Sequence, residues 1–218
     1  MKERGLIEKV DSPQQCVSNI VVTPKNNGDV RICLDARQVN KAILREKYPI
    51  PTIESIIDEM SDAKVFSKID LREAYTQIEL HEQSRHLTNF VTEHGVYRFT
   101  RLIDGINTAG DVFQKCLNSK ISDLKGVKSI VDDIIVYGKD ETEHKQNLTN
   151  LFNRLREHGF KVNGQKCIIG KPSISFFGIV VTDQGVKPDP EKVKCLANAS
   201  APTSKAELQS FLGLCTFL

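Results

Sequence analysis

Nowhere in the chain do apolar residues run for the roughly 18 consecutive positions that a membrane-spanning helix requires. The opening residues, MKERGLIEKVD, contain no apolar core of a secretory leader. No membrane partner is therefore expected, and a soluble intracellular, cytoplasmic setting is the default. The six cysteines, Cys16, Cys33, Cys116, Cys167, Cys195 and Cys215, include no CxxC pair. That spacing argues against a zinc knuckle and a small disulfide framework, and the thiols are expected to be mostly buried. Net charge is scarce as well: 30 basic against 28 acidic side chains leave +2, too little to mark a nucleic-acid-binding protein by composition. Its distribution is less even, with nine Lys/Arg against six Asp/Glu in residues 1–50 and seven against 11 in residues 51–119. No internal repeat and no low-complexity tract is found.

What is present is ordinary globular material, 39% hydrophobic and 27% charged over 218 residues, enough for one good-sized core. The stretch CVSNIVVTPKNNGDVRICLDAR reads as a β-hairpin turning at Asn27-Gly28. In TIESIIDEM, Ile53, Ile56, Ile57 and Met60 fall at i, i+3, i+4 and i+7, the spacing of an amphipathic helix. AKVFSKID predicts a strand ending on Asp70, and TNFVTEHGVYRFTRL a hairpin turning near Glu93–Gly95. Two core-facing helices are predicted, one presenting Val112, Phe113, Cys116 and Leu117, the other Leu148, Leu151, Phe152 and Leu155 before Gly159 stops it. ISFFGIVVTDQGVKP reads as a further hairpin with its turn at Asp183–Gly185. Past Pro188 and Pro190 the composition is linker-like until TSKAELQSFLGL, where Ser204 and Glu207 are spaced as a capping box. The chain stops inside that apolar segment, as a fragment of something longer would. Helices interspersed with hairpins predict an α+β fold with mainly antiparallel sheet.

The chemistry concentrates in KSIVDDIIVYGKD, which sets Asp132 and Asp133 between the apolar runs Ile130-Val131 and Ile134–Val136. Adjacent carboxylates at a hairpin reversal repel each other unless a cation neutralises them. Mg²⁺ suits such a place, because it binds through one or two carboxylates plus substrate phosphates. Asp70, at another predicted strand end, is a candidate third carboxylate, and three such groups can hold the two ions of phosphoryl-transfer chemistry. From these residues alone a solvated turn remains the other reading.

Larger motifs bear on that choice. FSKIDLREAYTQIEL, LTNFVTEHGVYRFTRLIDGINTAGDVFQ, VDDIIVYG, GFKVNGQKC and ISFFGIVVTDQGVKPDPEKV follow one another in the order and spacing of the reverse transcriptase of gypsy-class LTR retrotransposons. VVTPKNNGDVRICLDARQVN resembles that family's fingers segment, and KAELQSFLGL its lead-in to the connection, so the resemblance covers nearly the whole chain. It implies a right-hand polymerase with fingers and an antiparallel palm in residues 1–187, and the truncated start of a thumb or connection segment in 188–218. The implied activity is RNA-directed DNA polymerisation on a primed RNA or DNA template with deoxynucleoside triphosphates. The setting implied is a longer pol polyprotein, in a virus-like particle where the element is complete.

Position by position, Asp70, Asp132 and Asp133 match the catalytic aspartates that bind two Mg²⁺, with Mn²⁺ as a substitute. Tyr75 matches the aromatic steric gate against a 2′-hydroxyl. Lys25 and Arg31 match fingers residues that hold the incoming triphosphate. Lys166 matches the lysine proposed to protonate or neutralise departing pyrophosphate, and Ser175 to Val180 match the primer grip.

Three positions depart from the family pattern: Ile130 stands where the YxDD motif has tyrosine, Gly110 where proline is usual, and Asp104, in LIDG, where LPFG-like sequences carry an aromatic residue. Asp104 thereby brings a carboxylate to a position expected near the nucleotide. The alternative reading is an impaired relic or a domesticated nucleic-acid- or protein-binding fold. A two-metal nuclease fits the carboxylates but not the motif order. HEQSRH is not an HExxH zinc site, since histidines at i and i+5 are about 140° apart around a helix. GFKVNGQKC is not a P-loop, its lysine being displaced and Cys167 replacing the Ser/Thr.

Overall fold

The computed structural model describes residues 1–24, 28–45, 47–49 and 53–215. Lys25 and Asn27 lie outside the described residues. From the N-terminus the chain forms β1 (Ile7–Lys9), β2 (Ile20–Pro24), β3 (Val30–Leu34), α1 (Val39–Ala42), α2 (Ile53–Glu59) and β4 (Val65–Asp70). A 3-10 turn at Ala74–Gln77 and the short α3 (Glu82–Arg85) precede β5 (Phe90–Thr92), β6 (Gly95–Phe99) and α4 (Ala109–Ile121). Then come β7 (Val127–Ile130), β8 (Asp133–Gly138), α5 (Glu141–Glu157), β9 (Ile168–Lys171), β10 (Ser173–Phe176), β11 (Ile179–Thr182) and β12 (Gly185–Pro188). Two helices end the chain, α6 (Pro190–Ala197) and α7 (Lys205–Cys215).

The central sheet has the strand order β7-β8-β4-β9, and its ladders are antiparallel. The period of two along β4 decides what each face meets. Ile69 and the following Leu71 join Val127, Ile134 and Val136 under α4 and α5, where Phe113, Leu117, Leu151 and Leu155 complete a buried cluster. Phe66 and Ile135 point the other way, into a second cluster with Ile56 of α2 and Met60 just after it, Ile130, and Ile174, Phe176 and Val181 of the β10–β11 hairpin. Each fully buried Phe or Leu there contributes roughly 1.5–3 kcal/mol. A third cluster, with Leu34, Val39, Phe90, Phe99 and Ile103, joins the β2–β3 hairpin to the sheet β1-β6-β5.

Both predicted core helices form, and on α4 Phe113 and Leu117 are buried as expected, but the buried stripe is shifted from the rest of the predicted face. Val112 is exposed and Cys116 only half-buried, whereas Ala109, Phe113, Gln114, Leu117 and Ile121 are buried. The stripe advances mainly by four residues and includes an amide. The expectation for the cysteines fails as well: Cys16, Cys195 and Cys215 are exposed, and Cys33, Cys116 and Cys167 are of intermediate exposure. None is fully buried, although Cys167 packs against the edge of the first cluster. The linker-like stretch contains α6, started by Pro190 in the first turn and by the Asp189 carboxylate accepting from the Glu191 N–H at 2.9 Å. The hairpin at ISFFGIVV is the first half of the meander β10-β11-β12. No helix among the described residues is long and apolar enough to cross a membrane.

Candidate active site

Strand register brings the first two carboxylates together. In the β4–β8 ladder Asp70 is the partner of Asp133, the last pair before the strands end. Asp132 stands just outside, exposed in the turn between β7 and β8, and its carbonyl accepts from the Leu71 N–H at 3.4 Å. Lys68, Asp70 and Asp133 share the sheet face opposite α4 and α5, because Lys68 and Asp70 alternate with Ile69 and Asp133 alternates with Ile134. The turn itself is held from behind. Val131 adopts φ of +53°, a left-handed conformation costly for a β-branched residue. Its N–H donates to Gln114 Oε1. Gln114, wholly buried, donates in turn to the Ser129 carbonyl at 3.1 Å and to Asn118 Oδ1 at 3.0 Å.

The electrostatics follow from this crowding. Burial pushes the Asp70 acid above the ordinary aspartate range, and the charges of Asp133 and Asp132 push the same way, while Lys166 and Lys68 oppose them. Lys166 comes near through the turn 163–167: the Asn163 N–H donates to the Asp70 carbonyl at 2.9 Å, and the Lys166 N–H to the Asn163 carbonyl at 3.0 Å. Three carboxylates within mutual reach, with only oxygen donors, are the chemistry a hard divalent cation requires. As placed, however, no three His, Cys, Asp or Glu side chains among the described residues form a ready metal cage. Asp133 is engaged elsewhere, its Oδ2 standing 2.7 Å from Lys68 Nζ.

A second group gathers beside the triad. The Tyr75 ring meets Phe113 edge-on at 5.6 Å between centroids, which fixes its orientation. Burial raises the Tyr75 phenol, as do the nearby charges of Asp132 and then Asp104, with Arg31 opposing. Burial and Asp104 likewise raise the Cys33 thiol against Arg31. Arg31, on β3, and Asp104 therefore share the neighbourhood of Tyr75. A Cβ on Gly110 would stand 3.7 Å from the Tyr75 hydroxyl, so a larger residue there would touch the ring's tip. The loop carrying Asp104 is locked to the hairpin: the Leu34 N–H donates to the Asp104 carbonyl at 2.9 Å, and Asn40 Nδ2 to the Gly105 carbonyl at 2.8 Å. Gly105 takes φ of +108°, and a Cβ on it would lie 2.1 Å from the Leu34 carbonyl oxygen, so only glycine fits.

The structure thus brings Asp70, Asp132, Asp133, Lys166, Tyr75, Arg31 and Asp104 into one region. Ser175–Val180 forms the β10–β11 hairpin, packed through Phe176 and Phe177 beside Ile130. Ile130 is buried, as expected of an apolar residue replacing an aromatic one there. Two residues of the site were missed by sequence reasoning, Lys68 and Gln114. Neither carries a motif by itself, and only the register and the packing of α4 reveal their partners.

Residues 23–181 match the family model described as reverse transcriptase (RNA-dependent DNA polymerase). The chain belongs to that family. Among curated relatives, it is 35% identical over 214 residues to the retrovirus-related Pol polyprotein from transposon 412 of Drosophila melanogaster, covering 94% of this chain and 17% of that protein. It is 31% identical over 209 residues to the Pol polyprotein from transposon gypsy of the same organism, covering 95% and 20%. The chain spans about a fifth of the length of such relatives. Among solved structures, that of the foamy viral protease-reverse transcriptase dRH in complex with double-stranded DNA superposes with a TM-score of 0.91 at 26% identity, over 99% of this chain and 38% of that one. The foamy viral protein in complex with an RNA/DNA hybrid gives 0.86 at 25% identity, over 99% and 29%. The fold is therefore the α+β right-hand polymerase fold. Reverse transcriptases as a family use divalent metal ions.

Proposed function

We propose that the chain is the RNA-directed DNA polymerase domain of a retroelement Pol polyprotein. In this reading it extends a primer on an RNA or DNA template, with deoxynucleoside triphosphates as substrates and within a longer product. The observation that carries this is the β4–β8 register that sets Asp70 against Asp133 with Asp132 in the adjoining turn, on the sheet face left free by α4 and α5. Residues 1–187 would serve as fingers and palm, and 188–218 as the start of the thumb or connection.

Asp70, Asp132 and Asp133 would hold two Mg²⁺ ions, or Mn²⁺ in their place. Bound metal supplies charge neutralisation at the attacking and leaving oxygens. Tyr75, braced by Phe113, would present its ring to the nucleotide sugar and exclude a 2′-hydroxyl. Arg31 offers a guanidinium fork to the triphosphate, and Lys166 a cation or proton for departing pyrophosphate. Template and primer would be held mainly through phosphates and read without sequence preference, with Ser175–Val180 placing the primer end. The setting is a virus-like particle or the cytoplasm.

Asp104 favours a second reading: an impaired copy whose metal triad is intact but whose nucleotide pocket is not, since it adds a negative charge beside Arg31 and Tyr75. Mg²⁺-dependent addition of one deoxynucleotide to a primed RNA template, run on the chain and on Asp104→Phe, tests both. Addition by the chain itself supports the polymerase reading. Addition by the variant alone supports the impaired pocket. Absence from both, with folded protein, overturns the polymerase reading.

A further inference from the structure

Among the described residues, Asp133 is the carboxylate of the three that carries an ion pair. Lys68 Nζ lies 2.7 Å from Asp133 Oδ2, and the two side chains are only 23% and 19% exposed. The pleat produces this contact. Lys68 opposes Ile135, and Asp133 lies two residues along β8 on the same face, a diagonal cross-strand neighbour within reach of a long side chain. An ammonium held in a central strand is costly unless an anion meets it. The flanking positions give it none: Ser67 bonds His144 and Ile69 is buried under the helices.

The same contact engages a carboxylate that a metal would need. Three carboxylates lie within electrostatic reach of one another, yet they form no ready cage. We propose that Lys68 is a resident counter-ion of the metal site: it neutralises and orients Asp133 while no divalent cation is bound, and it gives up the carboxylate when the cation enters. This rests on the reading that the three aspartates bind metal. The exchange is a displacement in which an ammonium–carboxylate contact is replaced by a metal–carboxylate contact and Lys68 keeps its proton. Lys68 is thus a positioning residue. It limits like-charge repulsion in the metal-free chain and sets how tightly the cation is held.

The test uses the full chain without nucleic acid or nucleotide. Free Mn²⁺ is followed by electron paramagnetic resonance, and the Lys68 ammonium by NMR with ¹⁵N-lysine labelling. Lys68→Met keeps the apolar stem and removes the charge. It should bind Mn²⁺ about tenfold more tightly, the equivalent of one partly shielded ion pair no longer displaced. It should also melt at a lower temperature than the parent without metal, and the gap should close in saturating Mg²⁺. Lys68→Arg should resemble the parent. In the unsubstituted chain an immobilised Lys68 ammonium signal should be present without metal and revert to that of a free lysine on adding Mg²⁺. This readout survives even if Lys68→Met fails to fold. An ammonium signal indifferent to Mg²⁺, or unchanged Mn²⁺ affinity in Lys68→Met, overturns the proposal. Asp133→Asn separates the two levels. If it leaves Mn²⁺ binding intact, the metal reading falls and the proposal with it; if it weakens binding while Lys68→Met changes nothing, only the counter-ion role falls.

Discussion

Asp70 and Asp133 face each other as the terminal pair of the β4–β8 ladder, so their approach is set by backbone hydrogen bonds and by the apolar residues behind them, not by any attraction between the side chains. Asp132 is outside that ladder and exposed. Its carboxylate is therefore dispensable for folding and adds to the repulsion on Asp70. Asp132→Asn should lower single-nucleotide extension on the order of 10³-fold, with a melting temperature equal to or slightly above that of the parent. Extension and a thermal melt of the same preparation check this. Undiminished extension would remove Asp132 from the metal site.

Gln114 and Val131 make a separate claim about the turn. The amide accepts from the Val131 N–H and donates to the Ser129 carbonyl within a wholly buried setting. Gln114→Leu leaves both backbone groups unpaired and should destabilise the fold by about 2–3 kcal/mol. Val131→Gly removes the left-handed penalty at φ +53° and gives back chain entropy, so it should stay within about 1 kcal/mol of the parent. Urea denaturation of the two variants measures the contrast. A loss below about 0.5 kcal/mol for Gln114→Leu would show that water replaces the amide.

How far the chain could be read before its fold was known depended on whether a residue's partner was local. Asp70 at a strand end and Asp132-Asp133 at a reversal follow from alternation on either side, and both stand as expected. The capping pair holds too, with the Glu207 N–H on Ser204 Oγ at 3.2 Å, and the Glu207 carboxylate accepts from the Thr203 N–H at 2.7 Å. Gln114 was invisible because periodicity scores apolar side chains, and its partner Val131 lies on the next hairpin. Val112 was overvalued for the same reason. Lys68 reads as a solvent-facing lysine until the register sets Asp133 diagonally beside it. The signal for α6 was present in Asp189-Pro190, an N-cap followed by a first-turn proline, but small polar residues around it suggested a linker.

His144 supplies a pH dependence. It is buried in α5, with Nε2 2.8 Å from Ser67 Oγ, and that hydroxyl also accepts from the Gly170 N–H at 2.9 Å. The imidazole and the hydroxyl share a buried hydrogen bond whose direction depends on the imidazole tautomer. Burial lowers the imidazole below its ordinary 6.5. The unfolded chain thus takes up the proton first, and stability present above pH 6.5 is lost as pH falls toward the folded value. Melting temperature should drop as pH falls below about 6.5, and His144→Gln should flatten this part of the profile. Parallel profiles for the two proteins would place the acid sensitivity elsewhere.

Asp104 offers the sharpest test of the proposed nucleotide site because hydrogen bonds hold its loop in place. The Leu34–Asp104 hydrogen bond and the contact between Gly105 and the Leu34 carbonyl hold the backbone against β3. The carboxylate therefore stays in the field of Tyr75 and Cys33, where it counteracts Arg31. An incoming triphosphate that uses Arg31 meets this negative charge as well. Asp104→Asn preserves size and removes the charge. It should lower the apparent KM for a deoxynucleotide about tenfold while leaving kcat within about twofold, the signature of altered binding rather than altered chemistry. The gap should narrow in high salt, since the Asp104 residue is only partly buried. Asp104→Phe should move KM in the same direction by restoring an aromatic residue. A KM indifferent to both substitutions would put the triphosphate outside the reach of Asp104.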